Sequence, residues 1–201
     1  MLDSTIQRAL KPLFTRVARG FVHAGIGADA VSWIGFGIGM LAAGAIALGH
    51  FAAGLVLLLL SRLLDGLDGA VARATQPTDR GGFLDISLDF LFYASIPLAF
   101  AVADPARNAL PAAVLLASFM GTGSSFLAFA ALASKRGITS TALPDKSFYF
   151  LGGLTEATET ITAFVLMCLW PTWFPVIAYV FAVLCTITTG LRIAWGIQRL
   201  R

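Results

Sequence analysis

The chain has 201 residues, 58% hydrophobic and 12% charged, with a mean hydropathy of +0.83 and a formal net charge of +3. Soluble domains are about half apolar and about a quarter charged, so an ordinary soluble globular protein is excluded. The charges leave apolar stretches between them of about 18 residues or more, each long enough to cross a hydrocarbon core of about 30 Å as a helix. The expected fold class is all-α: a polytopic membrane bundle of six transmembrane helices behind an N-terminal amphipathic interfacial helix.

In chain order, residues 4–22 come first. Ile6, Leu10, Leu13, Phe14 and Val17 recur at helical spacing opposite Arg8, Lys11, Arg16 and Arg19, the pattern of a helix lying on the inner leaflet. The same scattered cations leave no compact apolar block before a cleavage site, so no signal-peptide layout is read and the N-terminus is expected to be retained. Residues 1–30 are expected to form this juxtamembrane helix and lead-in, and residues 31–201 the six-helix transmembrane domain. Apolar runs place the spans at 31–49, 51–73, 82–103, 108–134, 147–170 and 173–198. Gly35, Gly37 and Gly39 in the first span suit close helix packing. Cys168 and Cys185 lie in apolar segments without metal-ligand spacing and read as core thiols. Trp33, Trp170, Trp173, Trp195 and Tyr179 fall near span ends, as interfacial anchors do.

Six spans bring both termini to one face. That face carries Arg8, Lys11, Arg16, Arg19, Arg73, Arg80, Lys135, Arg136, Lys146, Arg199 and Arg201, and the opposite face only Arg107. Cytoplasmic segments hold the excess of Lys and Arg, so the termini are expected in the cytoplasm and the protein in the inner membrane.

The chemistry concentrates between Arg62 and Asp89. Asp65 and Asp68 are three residues apart, Asp85 and Asp89 four, so each pair lines one face of its helix. At a rise of about 1.5 Å per residue, Asp68 and Asp65 lie about 7 and 12 Å from Arg73, and Asp85 and Asp89 about 4 and 10 Å from Gly82. In an antiparallel hairpin the two acidic stripes therefore meet at one depth. An Asp at the centre of a span costs about 2.5–3.5 kcal/mol to insert, and clustered carboxylates repel, so positive charge is required between them. Two divalent cations balance four carboxylates, and an all-oxygen donor set suits Mg²⁺, Mn²⁺ or Ca²⁺. Paired Mg²⁺ or Mn²⁺ ions serve phosphoryl transfer. Gly66 and Gly69 offer a shallow face for a nucleotide or pyrophosphate, Gly81 and Gly82 open the next helix, and Arg73 and Arg80 suit phosphate oxygens. A competing reading has the acids capping helices or pairing with Arg62, Arg73, Arg80 and Arg192; it accounts for one or two of them, not four at matched depth.

The pattern Asp65-x2-Asp68-Gly69-x2-Ala72-Arg73-x7-Gly81-x3-Asp85-x3-Asp89 resembles the signature of the CDP-alcohol phosphotransferases, integral membrane enzymes of phospholipid synthesis. The six-span layout and amphipathic N-terminal helix are similar too. The resemblance implies that Asp65, Asp68 and Asp85 hold two divalent cations, Mg²⁺ or Mn²⁺, with Asp89 near the metals as general base. It further implies that Asp68, Gly69, Ala72, Arg73 and Gly81 line the site for the CDP moiety of a CDP-diacylglycerol donor. The implied reaction is attack by the hydroxyl of a small polar alcohol acceptor on the lipid-bearing phosphate, with CMP leaving. Membrane lipid and a second copy in a homodimer are the other implied partners; no nucleic acid is expected.

The chain departs from that family where Gly27-Ala28-Asp29-Ala30-Val31-Ser32 replaces a Pro-Asn and a following Thr, which puts negative charge near the nucleotide. Where relatives using phosphorylated acceptors carry arginines, at the start of the fifth span, it reads Gly152-Gly153-Leu154-Thr155-Glu156-Ala157-Thr158-Glu159. Glu156 and Glu159 share a helical face and can pair with Arg192 or bind a polar or cationic alcohol, while Lys135, Arg136 and Lys146 offer a phosphate site. The acceptor stays open among glycerol 3-phosphate, inositol or its phosphate, serine and other polar alcohols. Two rivals remain: a cation transporter using the aspartates, disfavoured because the acids lie near one end of the spans without an internal repeat, and an inactive relative.

Overall fold

The computed structural model describes residues 2–137 and 154–200, with side chains from Pro12 onward. Seven α-helices account for nearly all of them: α1 (Leu2–His23), α2 (Ala28–Ala47), α3 (Phe51–Ala74), α4 (Asp79–Ala103), α5 (Pro105–Lys135), α6 (Ala157–Leu169) and α7 (Phe174–Arg199). No strand occurs among the described residues. The connections are short and use expected chemistry. Gly49 takes φ +80° in the α2–α3 turn, a backbone state that glycine adopts without penalty. Thr78 caps α4 by accepting from the Gly81 N–H at 3.0 Å. Asp104 caps α5 by accepting from the Arg107 N–H at 3.2 Å, with Pro105 at the first helical position.

By length and composition, α2, α4, α5 and α7 with its preceding turn are long and apolar enough to cross a membrane. The 24-residue α3 matches them in length but carries Arg62, Asp65, Asp68 and Arg73. The described part of α6 spans 13 residues; residues 147–153 of the expected fifth span, with Gly152 and Gly153, and Lys146 just before it lie outside the described residues. Leu41, Val56, Leu91, Leu98, Met120, Val180 and Ile197 are exposed on the outer faces, an apolar surface more extensive than a water-soluble monomer presents.

The main core runs from beneath the acidic site at Phe92 to the opposite end of the bundle. Phe92, Ile96 and Phe100 of α4 meet Ile46 of α2, Leu58 of α3, Leu115 of α5, Phe164 and Met167 of α6, and Phe174 of α7, all fully buried. Phe100 stacks between Phe174, at 4.6 Å between ring centroids, and Phe51, at 5.5 Å. Cys168 and Cys185 are buried and free in this core, as expected. Trp33, Trp170, Trp173, Trp195 and Tyr179 are all exposed, in keeping with interfacial anchoring.

Close approach of α2 sets the geometry around the acids. A Cβ on Gly35 would sit 3.1 Å from the Leu64 Cβ; one on Gly39 would sit 2.7 Å from the Phe92 ring and 2.9 Å from the Ser61 Oγ. Ser61, fully buried, donates to the Gly35 carbonyl at 2.7 Å and so ties α3 to α2. Gly37 departs from the expectation of close packing: it is exposed with open space around it, because two residues turn a helix by about 200° and point it away from the face of Gly35 and Gly39.

A smaller core joins α1 to the start of α2 and the end of α3 through Ala18, Val31, Leu67, Ala70 and Val71, with Phe14, Phe21 and Val22 packed against it. Thus Phe14 docks on the bundle, Leu13 and Val17 form an exposed margin, and Arg16 and Arg19 face outward. The side chains of Ile6, Arg8, Leu10 and Lys11 lie outside the described residues. Replacing Gly39 by Val should lower the thermal midpoint in detergent by several degrees, as overpacking costs about 1–3 kcal/mol, whereas Gly37→Val should leave it within about a degree. Equal midpoints for the two variants would contradict the packing described.

Candidate metal centre and phosphoryl-transfer site

The α3–α4 hairpin brings the acids together. One carboxylate oxygen each of Asp65, Asp68 and Asp85 lies within 4.8 Å of the other two. Asp68 is buried, Asp65 half-buried and Asp85 exposed, so the cluster grades from the interior to an open mouth. Ser32 of α2 donates to Asp68 Oδ2 at 2.5 Å and fixes that carboxylate. The small cleft, open to its surroundings, is lined by Ser32, Gly35, Phe36 and Leu88 together with Arg62 and the three acids. Three convergent hard oxygens among helices rich in apolar residues are a fitting donor set for Mg²⁺ or Mn²⁺, which favour carboxylate ligands.

Asp89, one turn beyond Asp85, is engaged by Arg62, whose Nη1 donates to Asp89 Oδ1 at 2.6 Å and lies 3.4 Å from Asp65 Oδ1. The guanidinium carbon stands 3.8 Å from the centroid of the Phe92 ring, an attractive cation–π geometry, and Nη2 reaches the Ser61 Oγ at 3.3 Å. Arg62 therefore belongs to the site. The signal was available: it stands three residues before Asp65, on the same helical face.

Two glycines of the motif divide in role. Gly69, one turn beyond Asp65, lies under Arg73: a Cβ there would be 3.2 Å from Arg73 Nη1. Its missing side chain thus gives the guanidinium room above the acidic face, and Ala72 is half-buried beside it. Gly66 is not open to a nucleotide. The edge of the Phe14 ring from α1 covers it, 2.7 Å from where a Cβ would stand, because one residue turns the helix by about 100° and carries Gly66 off the face of Asp65. Arg80, exposed at the rim, pairs through its Nε with Asp29 Oδ2 at 3.2 Å. Asp29, on α2, also stands near the first turn of α4, 3.5 Å from where a Cβ on Gly81 would be, so its charge is met by Arg80 and by the positive end of that helix.

A second polar group lies between α5, α6 and α7. Arg192 is buried, donates to the Thr122 carbonyl at 3.1 Å and is within electrostatic reach of Glu156. Thr155 and Thr188 share a hydrogen bond of 3.0 Å beside it. Glu159 accepts from the Glu156 backbone N–H at 3.0 Å, helping to close the start of α6. Arg136 donates to the Leu200 carbonyl, and Lys135 is exposed.

Asp85→Ala should weaken Mn²⁺ binding by at least about tenfold, given the charge-dense oxygen donor set, while Asp79→Ala, an exposed acid on the first turn of the same helix, should not change it. Titration of Mn²⁺ by electron paramagnetic resonance reads both, and equal affinities would remove Asp85 from the donor set.

Residues 28–190 match the CDP-alcohol phosphatidyltransferase family. The chain is 53% identical over 201 residues to the inner membrane protein YnjF of Escherichia coli, covering 100% of this chain and 98% of that one. It is 33% identical over 118 residues to an archaetidylinositol phosphate synthase of Pyrococcus horikoshii, covering 58% of this chain and 63% of the relative. Among solved structures, the Mycobacterium tuberculosis phosphatidylinositol phosphate synthase with CDP-DAG bound has the same fold, with a TM-score of 0.75 at 20% identity over 92% of this chain and 94% of that one. The same mycobacterial enzyme in complex with manganese and citrate gives a TM-score of 0.71 at 23% identity, over 91% and 88% of the two chains. With its signature acids gathered on one helical hairpin and the match running through six of the seven described helices, this chain belongs to the CDP-alcohol phosphatidyltransferase family, and is a phosphatidyltransferase enzyme.

Proposed function

We propose that the protein transfers the phosphatidyl group of CDP-diacylglycerol to the hydroxyl of a small polar alcohol and releases CMP, acting as a six-span inner-membrane enzyme whose site and termini face the cytoplasm. The observation that carries this reading is the approach of the Asp65, Asp68 and Asp85 oxygens to within 4.8 Å of one another, on the hairpin that also carries Asp89. That the mycobacterial structure of the same fold holds CDP-DAG supports the choice of donor. The Lys and Arg excess on the segments carrying the site supports the orientation, and the arc of α1 from Leu13 to Val22 supports its lying along the interface with one margin against the bundle.

Asp65, Asp68 and Asp85, with Asp89 adjacent, hold the metal centre. Two divalent cations, Mg²⁺ or Mn²⁺, when bound there polarise the transferred phosphate and stabilise the departing CMP. Arg73, Gly69, Ala72 and Gly81 border the donor's pyrophosphate and nucleoside, at the exposed end of the hairpin beside the acidic cleft. The acceptor oxygen attacks the lipid-bearing phosphorus, the bond from that phosphorus to the bridging oxygen of CMP breaks, and the hydroxyl proton passes to Asp89. Arg62 binds Oδ1 of Asp89, whose side chain keeps 29% exposure, so the other oxygen is the one offered to the proton. The buried Arg192, with Thr122, Thr155 and Glu156, supplies a lining of both charge signs for a polar alcohol.

The test is metal-dependent CMP release from CDP-diacylglycerol by the protein in lipid, across glycerol 3-phosphate, inositol, inositol phosphate, serine and phosphatidylglycerol. One acceptor is expected to support turnover. Asp89→Asn, near-isosteric but unable to take the proton, should lower the rate by at least about a hundredfold, the usual contribution of a positioned base, with donor binding kept. Normal CMP release by that variant would refute the role of Asp89; donor binding without release for any acceptor would refute the proposed transfer to these alcohols.

A further inference from the structure

An arginine and a carboxylate frequently meet fork to fork, two N–H groups on two oxygens. Arg62 and Asp89 do not. One nitrogen, Nη1, reaches one oxygen, Oδ1, at 2.6 Å, and the same Nη1 stands 3.4 Å from Asp65 Oδ1. The other nitrogen, Nη2, is drawn instead to the Ser61 Oγ at 3.3 Å. Ser61 is free to accept there because its own proton goes to the Gly35 carbonyl at 2.7 Å. Tyr93, one turn beyond Asp89 on α4, completes the surround. Its hydroxyl lies within hydrogen-bonding reach of the guanidinium, and its ring centroid is 5.7 Å from the Arg62 Cζ. Arginine offers donors alone, so this hydroxyl too serves as an acceptor. The Tyr93 ring is held by Phe92, at 5.6 Å between centroids, and by Phe164 of α6, at 6.2 Å.

Resting on the proposed phosphatidyl transfer, we infer that Tyr93 is a positioning residue: with the Ser61 Oγ it engages the second arm of the Arg62 fork and so keeps Oδ2 of Asp89 free for the acceptor's proton. The Arg62 side chain is only 8% exposed, and its buried Nε already has no hydrogen-bond partner. A further N–H deprived of its acceptor there would be costly, so the guanidinium would turn to find another. The nearest is the second oxygen of the carboxylate it already holds. Bidentate pairing would then put an N–H where the acceptor's proton has to arrive, and the base would be blocked without leaving its place. Tyr93 thus acts on the reaction through Arg62, touching neither substrate.

The experiment measures CMP release against acceptor concentration, with the acceptor that supports turnover, for the wild type, Tyr93→Phe, Arg62→Lys and the double variant. Tyr93→Phe keeps the ring and its contacts with Phe92 and Phe164, so its thermal midpoint should stay within about 4 °C, the shift of one lost hydrogen bond. Its kcat should fall at least about fivefold with the acceptor KM unchanged, as when an interaction that counts only in the transition state is lost. A lysine ammonium cannot grip both carboxylate oxygens as a planar fork. Adding Tyr93→Phe to Arg62→Lys should therefore change kcat by less than about twofold. Where Arg62→Lys is too slow to assay, the kcat of Tyr93→Phe decides alone. Full kcat in Tyr93→Phe, with Asp89→Asn inactive, would overturn the positioning role and leave the transfer standing, as would an equal fall in both backgrounds. No CMP release by the wild type with any acceptor would overturn the transfer and this inference with it.

Discussion

Everything near the functional end of this protein follows from the cost of holding carboxylates among apolar helices. Asp65, Asp68, Asp85 and Asp89 lie at one level of the α3–α4 hairpin, and Asp68 is buried outright. Such groups persist only where hydrogen bonds and opposite charge replace the water they lose. Ser32 supplies the first for Asp68, and Arg62 the second for Asp65 and Asp89. The same charges keep α3 from reading as a plain transmembrane segment, although its length equals that of its neighbours. A helix that stays in the bundle despite them is held by packing, and the packing is correspondingly close.

That closeness is what Gly35 and Gly39 provide. They let α2 approach α3 and α4, so that Ser61 reaches the Gly35 carbonyl and Phe92 fits beneath the site. Phe92 then serves twice, as a member of the main core and as the aromatic face under Arg62. Core packing and site electrostatics therefore meet in one residue. Removing volume at that point would disturb both the stability of the bundle and the arrangement of the acids.

Much of this was legible in the sequence, because helical periodicity and rise fix which residues share a face and how deep they lie. The matched depth of the two acidic stripes and the buried thiols needed nothing more. What periodicity does not supply is the neighbour that covers a face. Gly66 and Gly69 look alike in the motif, yet Phe14 of α1 covers the first and Arg73 the second. Arg80 is cationic, and its partner Asp29, 51 positions away, is not visible in the periodicity. Arg62 reads as one of several basic residues able to pair with an acid, and only the hairpin's closure selects it over Arg73 and Arg192 for Asp89. Gly37 belongs to a suggestive glycine row, but the helical turn sends it outward.

The central claim is that the acids of α3 and α4 form a divalent-cation site. Anomalous scattering at the manganese edge, from crystals of the protein loaded with Mn²⁺ and CDP, tests it most directly. The account predicts a peak within about 2.0–2.6 Å of carboxylate oxygens of Asp65, Asp68 and Asp85, the span of distances that hard cations keep to oxygen ligands. Manganese bound elsewhere in the chain with no peak between those three carboxylates would contradict it.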